Sequence, residues 1–549
     1  MKRLFNQRQT SIISAAFIIM VTYGLSSLLG LLRNRLLATF FFGEKVWQLD
    51  VYFASFVIPD AVFQLLVTGA LSAAFMPVFS KYYRQKADRG WELAAAAINV
   101  LLLFFLGLSL LVFIFARPLS QLVAVGYSAS QVELMTQLTR IMLFAQLFFA
   151  VSSFFTGILQ THQRFIIPAI APIFYNLGII GGTVLLTPRW QIYGPAAGVV
   201  FGAFLHFFIQ LPFVYQLGFK YRLLFDFKHP GIKEMRRLML PRTLALAVGQ
   251  IENFLAVLLT AGLSAGSLSI FKFAKQLYLL PITLFGVTFA QAAFPTLTYQ
   301  AAGKEMGQFK RTFCRSLRQI AFFSLPASVM ILVLRIPLVR LAFGAKQFPW
   351  KATLLTGRIL AILSLSIVAQ AINQLLIRTF YALHNTKAPF LISFLSAILN
   401  VGISIILVKV FNFGVLGLAW AICLTGIFQL GLLVLFLRRR LLDLRGRGLV
   451  FSLLKMVLAA GLTAVCLWLP MRLIDRFVVD TTRISGLVFL AVVVSFIGTS
   501  VYLLTARILK IKEVEMVGRL FKRLLRFRTS MATKVVVEEA SGLPPSTVS

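Results

Sequence analysis

Residues 156–168 read TGILQTHQRFIIP and residues 379–389 read TFYALHNTKAP. Each opens on threonine, passes through a short polar middle and closes on proline. Each also joins two apolar stretches long enough to cross a bilayer, which takes roughly 20 residues. Working outward, the likeness continues in order. Upstream, ALSAAFMPVF after Gly69 resembles VTFAQAAFPTL after Gly286. Downstream, Asn176-Leu-Gly178-Ile is echoed by Asn400-Val-Gly402-Ile, Tyr193-Gly194 by Phe413-Gly414, and Gln210-Leu211 by Gln429-Leu430. Ordered matches at a wide period mark a duplicated unit. Here six apolar stretches are followed by six more, and two are appended. The competing reading is chance, because small and apolar residues align easily.

The composition agrees with a membrane protein. Of 549 residues 59% are hydrophobic and 13% charged, with mean hydropathy +0.88. A soluble domain has about half its residues apolar and about a quarter charged. A single anchor with a soluble head is excluded. The apolar stretches lie near 11–32, 51–79, 93–116, 133–158, 166–187, 192–216, 239–262, 270–298, 317–338, 355–380, 388–409, 413–437, 452–470 and 484–506. The sequence thus predicts an all-α polytopic membrane protein of about 14 transmembrane helices. The opening MKRLFNQRQT resembles a signal peptide's basic region, but no small-residue cleavage site follows, so the first stretch is expected to stay as a helix.

Lys and Arg number 54 against 17 Asp and Glu. In a soluble chain this excess would suggest nucleic acid. Here the basic residues sit between apolar runs, so they report topology and anionic lipid headgroups, and no nucleic-acid partner is expected. Placing both termini inside gathers Lys2, Arg3 and Arg8, then Lys81–Arg89, Lys220–Arg242, Lys304–Arg318 and Arg438–Arg447 on the cytoplasmic face, where with the short loops there are about 26 basic residues against about 12 outside. The expected units are an N-lobe over 1–218, a C-lobe over 219–437, two further helices within 438–506 and a basic cytoplasmic tail over 507–549. In that tail Lys510–Arg528 is expected to lie on the membrane surface.

A charge inside a span costs on the order of 3 kcal/mol on insertion scales and normally faces a cavity or a partner. Arg33, Arg35, Asp50, Asp60, Arg140, Glu252, Lys272, Lys275, Arg358 and Arg378 are such charges. For the arginines, a cavity role stands beside snorkelling to the headgroups. For Glu252 the alternative is a buried, protonated carboxyl. Gln370, Asn373, Gln374 and Arg378 fall mostly on one helical face. Pro59 and Pro77, and Pro281 and Pro295, interrupt matching stretches of the two halves, either as kinks beside a cavity or as tolerated bends. The three cysteines and four histidines are scattered, with neither a disulfide framework nor metal spacing. No nucleotide-binding loop and no soluble catalytic domain is legible, so the expected work is transport and not enzymatic chemistry.

At this point the residues resemble the MviN/MurJ family of lipid II flippases, in the multidrug/oligosaccharidyl-lipid/polysaccharide exporter superfamily. Ser26-Ser27-Leu-Leu-Gly30-Leu-Leu-Arg33-Asn34 is similar to the family's S-R-x-L-G-x-x-R-D. Phe42-Gly43 leads to Asp50, Ile58-Pro59-Asp60 stands for L-P-N, and Gly69 to Pro77 resembles G-A-F-S-x-A-F-V-P. Gln163 to Asn176 looks like N-R-F-x-I-P-A-x-A-P-x-x-x-N, and Met239-Leu-Pro241 through Gln250-Ile251 also fits.

The resemblance implies two lobes around a cationic cavity, a groove by the last two helices for a polyprenyl tail, and residence in the bacterial inner membrane. It implies movement of lipid II to the outer leaflet without a bound cofactor. Arg33, Lys272 and Lys275 would hold the diphosphate, and Asp50 would pair with an arginine in the empty cavity. Glu252, with Asn400, is the candidate for a coupling cation, Na+ or H+, with the membrane potential as another drive. Family arginines are replaced by Ser27, by Phe63 and Gln64, and by Gln276, and a family glutamate by Thr68. Three other readings stand beside this one: a flippase for an O-antigen or teichoic-type lipid-linked saccharide, a cation-coupled drug exporter, and a scaffold for envelope-synthesis proteins.

Overall fold

The structure, a computed structural model, describes residues 12–68, 74–344, 348–440, 446–474 and 483–516. The opening MKRLFNQRQT, the Gly69–Ala73 part of the second-stretch motif and the tail beyond 516 lie outside them. Among the described residues every regular element is a helix. Eleven helices are long and apolar enough to cross a membrane, or twelve when Trp350–Ser364 and Ile367–Ala382, bent by 46°, count as one span. The first and seventh stretches, on Ile12–Phe41 and Pro230–Thr260, stand outside that count.

The internal likeness has a structural counterpart at the turns that opened the reading. Gln163 (φ 60°) and His384 (φ 53°) both take the left-handed conformation, each five residues before its proline. The next amide then reaches back five residues in both halves, Arg164 to Leu159 and Asn385 to Phe380, each at 2.9 Å. That bond is the usual way a left-handed residue closes a helix end. Wider π-helical turns also recur in register. One pair is Gln64–Thr68 and Ile282–Val287; the other is Gly182–Leu186 and Ile406–Val410, beginning six residues after Asn176 and Asn400. Pro281 directly precedes its π turn, which ties that proline to a local widening of the helix.

Packing is closest between Ile166–Gly181 and Tyr193–Phe208. A Cβ on Gly178 would stand 2.3 Å from Gly202 Cα, and one on Gly182 would stand 2.5 Å from Gly198 Cα. Small side chains let membrane helices approach through van der Waals contact, since no hydrophobic force drives them together in lipid. The twin position Gly402 has nothing within 4 Å of its Cβ site, so the tight seam belongs to the first half.

The two halves meet at one end in a cluster of rings. Phe273 stacks on Phe343 and Phe42 tilts against Phe348, both with centroids 4.5 Å apart. Near it Arg35 donates to the carbonyls of Leu341 and Gly344, at 2.5 and 3.1 Å. At the other end the halves are bridged on the surface by Lys81 and Glu234, 3.0 Å apart. Between the two ends the halves part and leave a cavity.

Candidate functional site

That cavity measures about 560 Å³, and its polar lining comes from both halves: Arg33, Asn34, Asp60 and Gln146 from one, Lys272, Lys275 and Gln276 from the other. Helix Ser267–Pro281 sets Lys272 and Lys275 one turn apart, hence on one face. Arg33 reaches Asn176 Oδ1 with Nη1 and Asn34 Oδ1 with Nε, both at 3.2 Å. Asn176 is itself held by its Nδ2, which donates to the Ser26 hydroxyl at 3.1 Å and to the Pro172 carbonyl at 3.1 Å. Asn34 Nδ2 donates to Gln276 Oε1 across the halves. Asp60 accepts from Gln146 Nε2 at 2.7 Å. Phe53, Phe56, Phe149 and Tyr175 complete the wall, leaving a cationic floor against an apolar side.

A second, smaller cavity of about 290 Å³ adjoins it in the C-terminal half, lined by Glu252, Gln370, Ser396, Asn400, Thr425 and Gln429 among others. Asn400 Nδ2 donates to Thr425 Oγ1 at 3.2 Å, and the buried Ser396 hydroxyl has no hydrogen-bond partner among the described residues. Glu252 stands where the two cavities meet. Its carboxylate takes the Lys275 ammonium at 2.6 Å, with side chains 41% and 18% exposed respectively. The structure therefore brings Arg33, Lys272 and Lys275 together, and brings Glu252 and Asn400 together.

Asp50 is a correction. It is buried outside the lining of that cavity, and among the described residues no arginine pairs with it. Its carboxylate instead accepts from the amides of Gly266 and Ser269, at 2.6 and 2.8 Å, and from the Ser269 hydroxyl at 2.6 Å. These amides open helix Ser267–Pro281, whose first N–H groups have no partner within the helix. A carboxylate there gains both the hydrogen bonds and the positive end of the helix dipole. Asp50 thus clasps the two halves near the aromatic cluster.

Three other intramembrane cations find bland roles. Arg140 donates to the Phe113 carbonyl at 3.1 Å and lies over the Phe113 ring. Arg378 donates to the Val287 carbonyl at 2.8 Å, satisfying the backbone beside the π turn, and Arg358 is exposed. Of the expected polar face, Gln370 lines the second cavity while Asn373 is buried against the Gly426 carbonyl, 3.1 Å away. Sequence reasoning missed Asn34 and Gln146 as cavity residues, took Gln276 only as the replacement of a family arginine, and left Asp60 without a role. Asp60 carried a usable signal, a carboxylate within an apolar stretch; the neutral amides did not. Among the described residues, no three His, Cys, Asp or Glu side chains are grouped to hold a metal.

Comparison with known proteins bears on this arrangement. A family model described as lipid II flippase MurJ matches residues 37–488. A probable lipid II flippase MurJ of Bdellovibrio bacteriovorus is 27% identical over 82% of this chain and 86% of its own length. A protein of the same description from Thermotoga maritima is 27% identical, covering 90% of this chain and 96% of its own. A solved structure titled "Lipid II flippase MurJ, inward closed conformation" superposes with a TM-score of 0.72 at 24% identity, over 88% of this chain and 98% of that one. This last likeness concerns the fold.

Proposed function

The chain belongs to the lipid II flippase MurJ family, and from that premise we propose that it carries lipid II from the inner to the outer leaflet of the bacterial cytoplasmic membrane. The observation that carries the proposal is the convergence of Arg33, Lys272 and Lys275, drawn from both halves, on one cavity. A diphosphate is costly to desolvate, and charge-assisted bonds from several cations offset that cost. Arg33 offers a planar fork and the two lysines offer point charges. Residues 1–218 and 219–437 act as rocking lobes, and the polyprenyl tail lies along helices within 438–506. The fourteen spans run with both termini inside. The chain makes and breaks no bond; it alternates access.

Lys275 serves two partners in turn. With the cavity empty it neutralises Glu252; with lipid II present it turns to the diphosphate. Glu252 then needs another positive partner. The oxygens of Glu252, Asn400, Thr425 and the unpartnered Ser396 would hold a coupling cation such as Na+, which would supply that charge. Hard cations favour such oxygen sets. Membrane lipids and envelope-synthesis proteins are the remaining expected partners.

The test is rescue of a bacterial strain depleted of its lipid II flippase. Wild type restores growth and Arg33→Ala does not, at equal membrane expression. Failure of wild type itself, with expression confirmed, moves the cargo to another polyprenyl-diphosphate saccharide. A specific feature favours that second reading: Phe63, Gln64 and Gln276, which stand where the resemblance places arginines, all line the cavity.

A further inference from the structure

A third cavity, of about 520 Å³, lies far from the central one in the fold, where helices Met306–Val333 and Gly446–Leu473 begin and helix Ile484–Ile508 ends. Its lining includes six cations, Lys310, Arg311, Arg318, Lys455, Lys510 and Lys512, and one carboxylate, Glu513. Glu513 is buried and already paired with Arg318 at 2.8 Å. Lys455 is occupied as well, donating to the Leu509 carbonyl at 2.9 Å. Lys310, Arg311, Lys510 and Lys512 have no carboxylate partner among the described residues.

The fold holds these like charges together. Lys510 takes the left-handed conformation (φ 55°), and the Ile511 amide reaches back to Ala506 at 2.9 Å, which closes the last helix and turns the chain over the start of Met306–Val333. Ile511 is buried in a cluster with Phe322, Met456 and Tyr502. The Arg318–Glu513 pair fastens the next turn. Two lysines are thereby presented to Lys310 and Arg311. Such an arrangement is repulsive by itself and becomes favourable around an anion.

We infer that this pocket binds the phosphate headgroup of an anionic glycerophospholipid. Its size suits a small polar group. Its position, at the ends of three apolar helices, is the headgroup level of a bilayer, where basic pockets between helices take anionic lipids. Along the same helices Phe451, Leu454, Leu458, Leu504 and Ile508 are exposed, an apolar wall on which acyl chains lie. A soluble phosphate has no use for that wall. This inference does not depend on what the central cavity carries.

The test uses the full chain in phosphatidylcholine nanodiscs containing phosphatidylglycerol, with bound lipid counted by native mass spectrometry after release. Wild type keeps phosphatidylglycerol in preference to phosphatidylcholine. Lys310→Ala with Lys512→Ala lowers that retention roughly tenfold, while Lys86→Ala with Arg89→Ala, basic residues elsewhere, leaves it unchanged. Equal retention by wild type and the Lys310/Lys512 variant overturns the inference. So does displacement by inorganic phosphate as effective as by short-chain phosphatidylglycerol, which would make the pocket a site for free anions. Preferential displacement by a polyprenyl phosphate would overturn it in favour of the transported lipid class.

Discussion

Single residues in this protein divide by what their charge can reach. Arg33, Lys272 and Lys275 reach a shared cavity, whereas Arg140 and Arg378 donate to backbone carbonyls. The three cavity cations were legible in the sequence because a charge within an apolar run is costly enough to demand a reason. The sequence reading paired Asp50 with an arginine, whereas its carboxylate meets backbone amides and a hydroxyl. A carboxylate is satisfied as well by backbone amides as by arginine, and those amides, 216 and more residues away, leave no mark in the sequence. Asp50→Ala removes one acceptor group from three donors. The expected cost is about 1–3 kcal/mol, read as a lower midpoint of thermal unfolding in detergent. Asp50→Asn, which keeps one acceptor oxygen, loses less.

At the level of helices, the stretches were visible because hydropathy is local, and the duplication because turns and prolines repeat in order. What stayed hidden was helix geometry. The π turns and the 46° bend after Ser364 occur within apolar runs whose residue types do not distinguish one backbone hydrogen-bond register from another. The glycine seam was present in the sequence as Gly178, Gly182, Gly198 and Gly202, but only the structure shows that it faces its own neighbour. The duplication supplies an internal control for it. Gly178→Ala drives a Cβ into Gly202 and is expected to destabilise by about 1–3 kcal/mol. Gly402→Ala, at a position with open space around its Cβ, is expected to change the melting temperature little. Comparable losses at both sites would show that the seam is not a distinctive support of the first half.

For the molecule as a whole, the halves are joined at both ends, and the cavity between them is crossed by the bond from Asn34 to Gln276. The aromatic cluster, Arg35 and Asp50 close one end; Lys81 and Glu234 bridge the other. An exposed pair of this kind contributes little to stability, about 0–1 kcal/mol, and beside it Met235 is buried in one cluster with Val78, Phe79 and Leu93. Replacing Lys81 and Glu234 by cysteine and joining them with a short bis-thiol reagent is expected to stop lipid translocation in proteoliposomes. A cleavable reagent should restore it on reduction. Undiminished translocation by the joined protein would mean that this end need not open.

The clasp at the opposite end behaves differently from the bridge. Contacts dispersed over many side chains can be surrendered singly, through a series of half-loosened forms. Here three donors from one half converge on a single carboxyl group of the other. Withdrawing that group deprives all three at once, so the release is cooperative and intermediate openings are sparsely populated. One residue, by collecting its partners in one place, lends this end of the molecule a two-state character.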